Sequence, residues 1–256
     1  MSFVLSPLQQ QWLQEIQVPA AFLAPYKPKD VPAEKIEKPS ISIRPAKVTK
    51  TTVDAAAAVN TVPIQPIADV DVARMDLAQL QAHVKQCQGC ELHQSRTQAV
   101  WGAGQQQRPE WFVVSTAPSS NEELAGIPMQ GKSGELFAAQ MQSIGINTAE
   151  QMYITQLLKC RADKAAESQH INACKAILFR QIELVQPQRL LLLGSKAVSL
   201  FLGSAQSFDE LRGQVQQWGA LPVVVSYHPA SLLLRPQLKA QAWDDLLLMR
   251  NLLTVA

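Results

Sequence analysis

Residues 189–202 read RLLLLGSKAVSLFL, and this stretch decides the fold class. Arg189–Gly194 is a short, almost unbroken apolar run closed by glycine, the pattern of a strand covered on both faces. Ser195–Leu202 follows at once with helical character, so strand, tight turn and helix come in direct succession. Three more runs share the strand pattern: WFVVSTA at 111–117, MYITQLL at 152–158 and PVVVSYH at 222–228. Helical stretches are expected near Gly134–Ile144, Gln169–Val185 and Leu238–Leu253. The alternation predicts an α/β domain, a three-layer α/β/α sandwich with a central parallel sheet of about four strands. Ligands of such sheets bind at the carboxyl ends of the strands, so the segments after Ala117, Leu158, Gly194 and Tyr227 are expected to line the site.

Outward from this core, the run around Leu190–Leu202 is the longest apolar stretch, and Ser195 and Lys196 interrupt it, which argues against a membrane span. With 47% hydrophobic and 17% charged residues and a net charge of +2, the chain of 256 residues is neither collagen-like nor disordered throughout. The small net charge means that any contact with nucleic acid comes from a local basic patch. The first dozen residues, MSFVLSPLQQQW, lack the basic start and long apolar stretch of a secretory signal, so a cytoplasmic protein is expected, monomeric by itself.

Proline and glycine divide the chain. Nine of the sixteen prolines fall within residues 1–70, and all eleven glycines lie at Gly89 or later. Residues 24–70 repeat Pro and Lys, then Ala, with few large apolar side chains, and are expected to form a flexible linker. Before them, Leu5, Leu8, Trp12, Leu13 and Ile16 lie at helical spacing, which predicts a short amphipathic helix in residues 1–23 that meets a partner, with folding back to cover an apolar patch as the alternative. Residues 71–256 form the compact domain.

Cys87 and Cys90 are a Cys-x-x-Cys pair, and Cys160 and Cys174 follow much later. Four thiolates suit tetrahedral zinc or an iron-sulfur cluster, and spacing alone does not choose between them.

From about Asp71 to the C-terminus the chain resembles the iron-sulfur uracil-DNA glycosylases of family 4. The resemblance is carried in order by CQGCELHQSR, APSSNEELAGIPMQGKSGELF, MYITQLLKCRAD, the Cys174 helix leading to QPQRLLLLGSKA, LRG, SYHPASLLLRP and KAQAWDDL. It implies a uracil-DNA glycosylase-like fold and a 4Fe-4S cluster on Cys87, Cys90, Cys160 and Cys174 that supports the DNA-binding surface without doing the chemistry.

Such an enzyme flips uracil from the DNA, reads its Watson–Crick edge and stabilises the charge that develops on the base. The resemblance implies a base pocket of Ala117, Pro118, Ser119, Met129 and Gln156, with Thr116, Gln156 and His228 at the catalytic positions. Several of these depart from the family pattern. Thr116 stands where a carboxylate is expected, and a hydroxyl is no base near neutral pH. Ser119 replaces a glycine. Met129 replaces an aromatic ring, whose stacking is worth about 1–3 kcal/mol. Gln156 replaces Asn, with the same amide on an arm about 1.5 Å longer. His228, in Tyr227-His228-Pro229, is retained, and a donor placed as it would be contributes about 10²–10³ in rate. Glu122 and Glu123 read as a solvated helix start, with replacement of the missing carboxylate as the alternative.

Lys159, Arg161, Lys164, Ser231 and Arg235 are the candidate DNA contacts, although the family's Arg-Pro-Pro and Asn-Arg segment is reduced here to Arg161-Ala162-Asp163-Lys164. The expected function is DNA repair or replication, on single-stranded or uracil-containing DNA, with uracil excision weak or absent. An active glycosylase acting on uracil or another damaged base is the alternative. The N-terminal residues Leu13-Gln14-Glu15-Ile16-Gln17-Val18 and Phe22-Leu23 resemble the peptide by which the psi subunit of bacterial replicative DNA polymerase binds the clamp loader, which implies clamp-loader or replisome subunits as partners.

Overall fold

The computed structural model describes residues 4–5, 27–28, 72–162, 167–203 and 206–253. The expected partner helix with Leu8, Trp12, Leu13 and Ile16, most of the 24–70 segment, and Lys164 lie outside the described residues. Two short strands are described before residue 72, β1 (Val4–Leu5) and β2 (Lys27–Pro28), paired in parallel. Leu5, expected on the helix, is therefore extended, paired with Pro28.

The domain is built on a sheet of order β3-β5-β4-β6-β8-β7. Its four central strands, β4 (Trp111–Ser115), β5 (Met152–Gln156), β6 (Arg189–Leu193) and β8 (Leu221–Ser226), are parallel. The sheet is wider than expected, because β3 (Ala103–Gly104) and β7 (Gln216–Trp218) add antiparallel edges of two and three residues, too short to leave an apolar run. The central strands stop one or two residues before the ends expected for them. This leaves residues 116–119, 157–158, Gly194 and 227–228 as connections at one edge of the sheet.

Strand alternation explains the layers. Phe112, Val114, Tyr153, Leu190, Leu192, Val223 and Val225 pack on one face against Leu178 and Ile182 of α5 (Ser168–Val185) and Val198 and Phe201 of α6 (Ser195–Leu202). Their neighbours Trp111, Val113, Met152, Ile154, Leu191, Leu193 and Val224 pack on the other face against Phe137 and Met141 of α3 (Gly131–Ser143) and Leu246 and Met249 of α9 (Lys239–Leu253). Each such aliphatic side chain contributes about 1.5–3 kcal/mol on burial. Helix α1 (Leu77–Gln86), capped by Asp76 and Gln79, packs Leu80 and Val84 against Ile177 and brings the Cys87–Cys90 turn to α5. The remaining described α-helices are α2 (Ser120–Ala125), α4 (Thr148–Gln151), α7 (Phe208–Leu211) and α8 (Pro229–Leu234). Among the described residues, no helix is long and apolar enough to cross a membrane.

Candidate functional site

The parallel register sets Ser115 beside Gln156 at the carboxyl edge of the sheet. Beyond that pair, Leu157 and Leu158 donate their amides to the Ser115 and Thr116 carbonyls at 2.8 and 2.9 Å, so the two loops stay joined. The Thr116 hydroxyl faces the Gly194 turn after β6. Pro118 is buried, and Ser119 caps α2 by accepting the Glu122 amide at 3.4 Å.

Glu122 and Glu123 are not a solvated helix start. Both are buried, at 5% and 3% exposure. Glu122 Oε2 accepts the Ser119 amide at 2.7 Å, and Oε1 accepts the Met129 amide at 2.5 Å. Met129 lies in the left-handed region at φ +56°, and a Cβ on Gly134 would overlap its carbonyl oxygen. One carboxylate thus ties the loop after β4 to the Met129 bend. Glu123 accepts the Thr97 amide at 3.1 Å and pairs with Arg161 at 3.0 Å. With both carboxylates so engaged, neither is placed as a free base at Thr116.

His228 caps α8, where Pro229 at the first helical position pre-sets the turn. Its Nδ1 accepts the Ala230 amide at 3.1 Å. A neutral ring then carries its proton on Nε2, which has no protein partner among the described residues and stands as a donor. Burial lowers the His228 pKa from its ordinary value, and the Glu122 charge opposes that shift. The segments LRG and KAQAWDDL, to which the sequence assigns no role, anchor the strand end before His228. Arg212 donates to the fully buried Asp245 at 2.8 Å, Asp245 accepts from Ser226 Oγ at 2.7 Å, and the guanidinium lies 4.1 Å from the Tyr227 ring centroid.

Gln156 is 1% exposed, and among the described residues neither its Oε1 nor its Nε2 has a hydrogen-bond partner. Leaving such a group unpaired in the interior costs about 1–3 kcal/mol. A buried amide at the carboxyl edge of the sheet, with donor and acceptor both unused, has the chemistry to take a pyrimidine edge.

Lys159 is a correction to the expected DNA contacts. It is 2% exposed and donates to Thr155 Oγ1, the Gln156 carbonyl and Gln181 Oε1 at 2.6–2.7 Å, so it cannot reach a phosphate. Burial pushes it down to about 7, opposed by Cys174 and Cys160. Arg161 is half-buried against Glu123, Ser231 is half-buried in α8, and Arg235 is exposed at its end. Exposed leucines flank these segments, Leu124 at 70% and Leu234 at 82%.

Cys87, Cys90, Cys160 and Cys174 line one cavity together with Arg96 and Lys159. Arg96, which the sequence did not single out, donates to Cys160 Sγ at 3.0 Å and to the Lys85 carbonyl at 3.1 Å. The Gly89 amide donates to Cys87 Sγ at 3.5 Å. Burial pushes the Cys174 thiol up to about 11, with Lys159 opposing the shift. Among the described residues, no group of three or more His, Cys, Asp or Glu is arranged to hold a metal ion. Four sulfurs around a cavity, with N–H donors aimed at two of them, instead fit a multi-atom cluster held by thiolates.

Residues 101–247 match the family profile described as the uracil DNA glycosylase superfamily. The chain is similar to a type-4 uracil-DNA glycosylase of Archaeoglobus fulgidus, 33% identical over 172 residues that cover 63% of this chain and 85% of that protein. A type-4 uracil-DNA glycosylase of Pyrobaculum aerophilum is 31% identical over 182 residues, 67% of this chain and 92% of its own length. One from Thermotoga maritima is 33% identical over 154 residues, 59% and 79% of the two chains.

Proposed function

The chain belongs to the uracil DNA glycosylase superfamily, and from that membership we propose that it is a DNA-repair protein whose pocket recognises an extrahelical uracil and excises it weakly or not at all. The observation that carries this reading is Gln156, whose buried amide has no partner among the described residues and matches the acceptor and donor on the uracil edge. His228 Nε2–H then donates to the carbonyl oxygen that gains charge as the glycosidic bond weakens. Weak excision is supported at Thr116, a hydroxyl where a water-positioning carboxylate is expected, and by the engagement of Glu122 and Glu123 elsewhere.

In this reading Cys87, Cys90, Cys160 and Cys174 hold a 4Fe-4S cluster, supported by their common cavity. The cluster supplies a rigid support beneath the DNA-binding surface. Arg161, Lys164, Ser231 and Arg235 are the proposed phosphate contacts, and Leu234 is exposed as an apolar wedge would be. Partnership with the clamp loader, in the manner of psi, rests on the sequence of residues 1–23. Deleting them should abolish capture of the clamp loader by the purified protein, and unchanged capture would remove this part of the proposal.

A second reading, an active uracil-DNA glycosylase, is favoured by the poised His228 donor and by relatives that carry that name. Base release by cluster-replete protein from single-stranded and duplex uracil-containing DNA separates the two, with His228→Ala as control. Little or no release from folded protein supports the first reading. Rapid release that His228→Ala abolishes establishes the second.

A further inference from the structure

The buried ammonium of Lys159 lies between the four-cysteine site and the base pocket. Its three acceptors, Thr155 Oγ1, the Gln156 carbonyl and Gln181 Oε1, are all neutral. Among the described residues it makes no ion pair with a carboxylate, and a buried cation without a countercharge is costly. Cys160 and Cys174 share a cavity wall with it, and as cluster ligands they are deprotonated and supply the facing negative charge. On the other side, Gln181 is fixed in the core by its Nε2 bonds to the Trp101 carbonyl and the Tyr153 hydroxyl, both at 3.2 Å.

Gln156 is the last residue of β5, and beyond it the Leu157 amide still donates to the Ser115 carbonyl at 2.8 Å. Among the described residues its side chain has no hydrogen-bond partner, so its direction depends on the backbone that carries it. The peptide plane after Gln156 is held from both sides, by the Leu157 amide on the Ser115 carbonyl and by the Lys159 bond to the Gln156 carbonyl, 2.7 Å long. A displacement of about 1 Å at a positioned group can cost on the order of a hundredfold in function.

We propose that Lys159 is a positioning residue that couples the four-cysteine site to base recognition: thiolate charge holds the ammonium in place, and the ammonium holds the Gln156 backbone so that the amide meets the base. This rests on the base-pocket reading above and extends it, because it makes uracil preference depend on occupancy of a site that never touches the base.

The test compares binding of two single-stranded oligonucleotides, one with a non-hydrolysable deoxyuridine analogue and one with the matching thymidine analogue. The full chain is used with its cluster and after chelation, as wild type and as Lys159→Met. Wild type with cluster should prefer uracil, and chelation should lower that preference about tenfold. Lys159→Met that retains the visible absorption of the cluster should already show the lowered preference, and chelation should lower it no further. A purely structural contribution from Lys159 would lower stability yet leave the effect of chelation on preference intact, which would overturn the coupling. Full preference in Lys159→Met would overturn it too. Where that variant or the stripped protein fails to fold, Gln181→Leu with cluster carries the test, with reduced preference expected and unchanged preference contradicting it. Equal binding of the two oligonucleotides by wild type would contradict the base-pocket reading itself, and this inference with it.

Discussion

Glu122 accepts the Met129 amide at 2.5 Å while Met129 sits at φ +56°, so a buried carboxylate holds a non-glycine residue in a backbone conformation that side chains rarely adopt. The same carboxylate takes the Ser119 amide, and its charge reaches His228. Glu122→Ala removes the reciprocal cap of α2 and leaves the Met129 amide without its acceptor. The expected loss is about 2–3 kcal/mol, read from the shift in urea midpoint at constant slope. A loss within experimental error of zero would show that Glu122 is not holding the bend.

Gly134 sits where any Cβ would overlap the Met129 carbonyl oxygen. Gly134→Ala should therefore destabilise the domain by about 3 kcal/mol, although alanine is otherwise the better helix former. Thermal unfolding distinguishes the two effects, since a raised midpoint would mean that the bend yields without cost.

Gln156 sets stability against function. Gln156→Leu keeps the bulk and removes two polar atoms that have no partner among the described residues, so the free protein should gain about 1 kcal/mol. It should lose its preference for uracil over thymine at the same time. A variant that is destabilised and still discriminates would place the amide outside the pocket.

The pKa of His228 lies below its ordinary value of 6.5, chiefly through burial. As pH falls through 6.5 the unfolded chain takes up the proton first, so the contribution of this group to stability is intact above 6.5 and declines below it. Protonation would also turn Nδ1 into a donor and break its bond from the Ala230 amide. NMR titration of the imidazole should give a midpoint below 6.5, and Glu122→Gln should lower it further by removing the opposing charge. A midpoint raised above 6.5 would contradict this environment.

The parallel core was legible because Leu190–Leu193, Val113–Val114 and Val223–Val225 form apolar runs bounded by turn residues, and α6 spans the expected Ser195–Leu202. The edges were not legible: β3 contains a glycine and β7 two glutamines, and pairing there comes from the neighbouring strand. Lys159 beside Cys160 looks like a phosphate contact until Gln181, 22 residues away on α5, is folded against it. An acidic pair at a helix start shows locally only the reciprocal cap with Ser119, because the other groups that engage it, Thr97, Met129 and Arg161, come from three separate segments. Arg96 was missed for the same reason, since its partner Cys160 lies 64 residues along the chain.

The most direct test of the base-pocket account is the affinity of the cluster-replete wild type for a single-stranded oligonucleotide carrying one non-hydrolysable deoxyuridine, relative to the same strand with thymidine. The account predicts tighter binding of the uracil strand, by about tenfold or more for an edge read by Gln156 and His228, with the advantage lost in Gln156→Leu. Equal affinity for the two strands, from folded protein with its cluster in place, would contradict it.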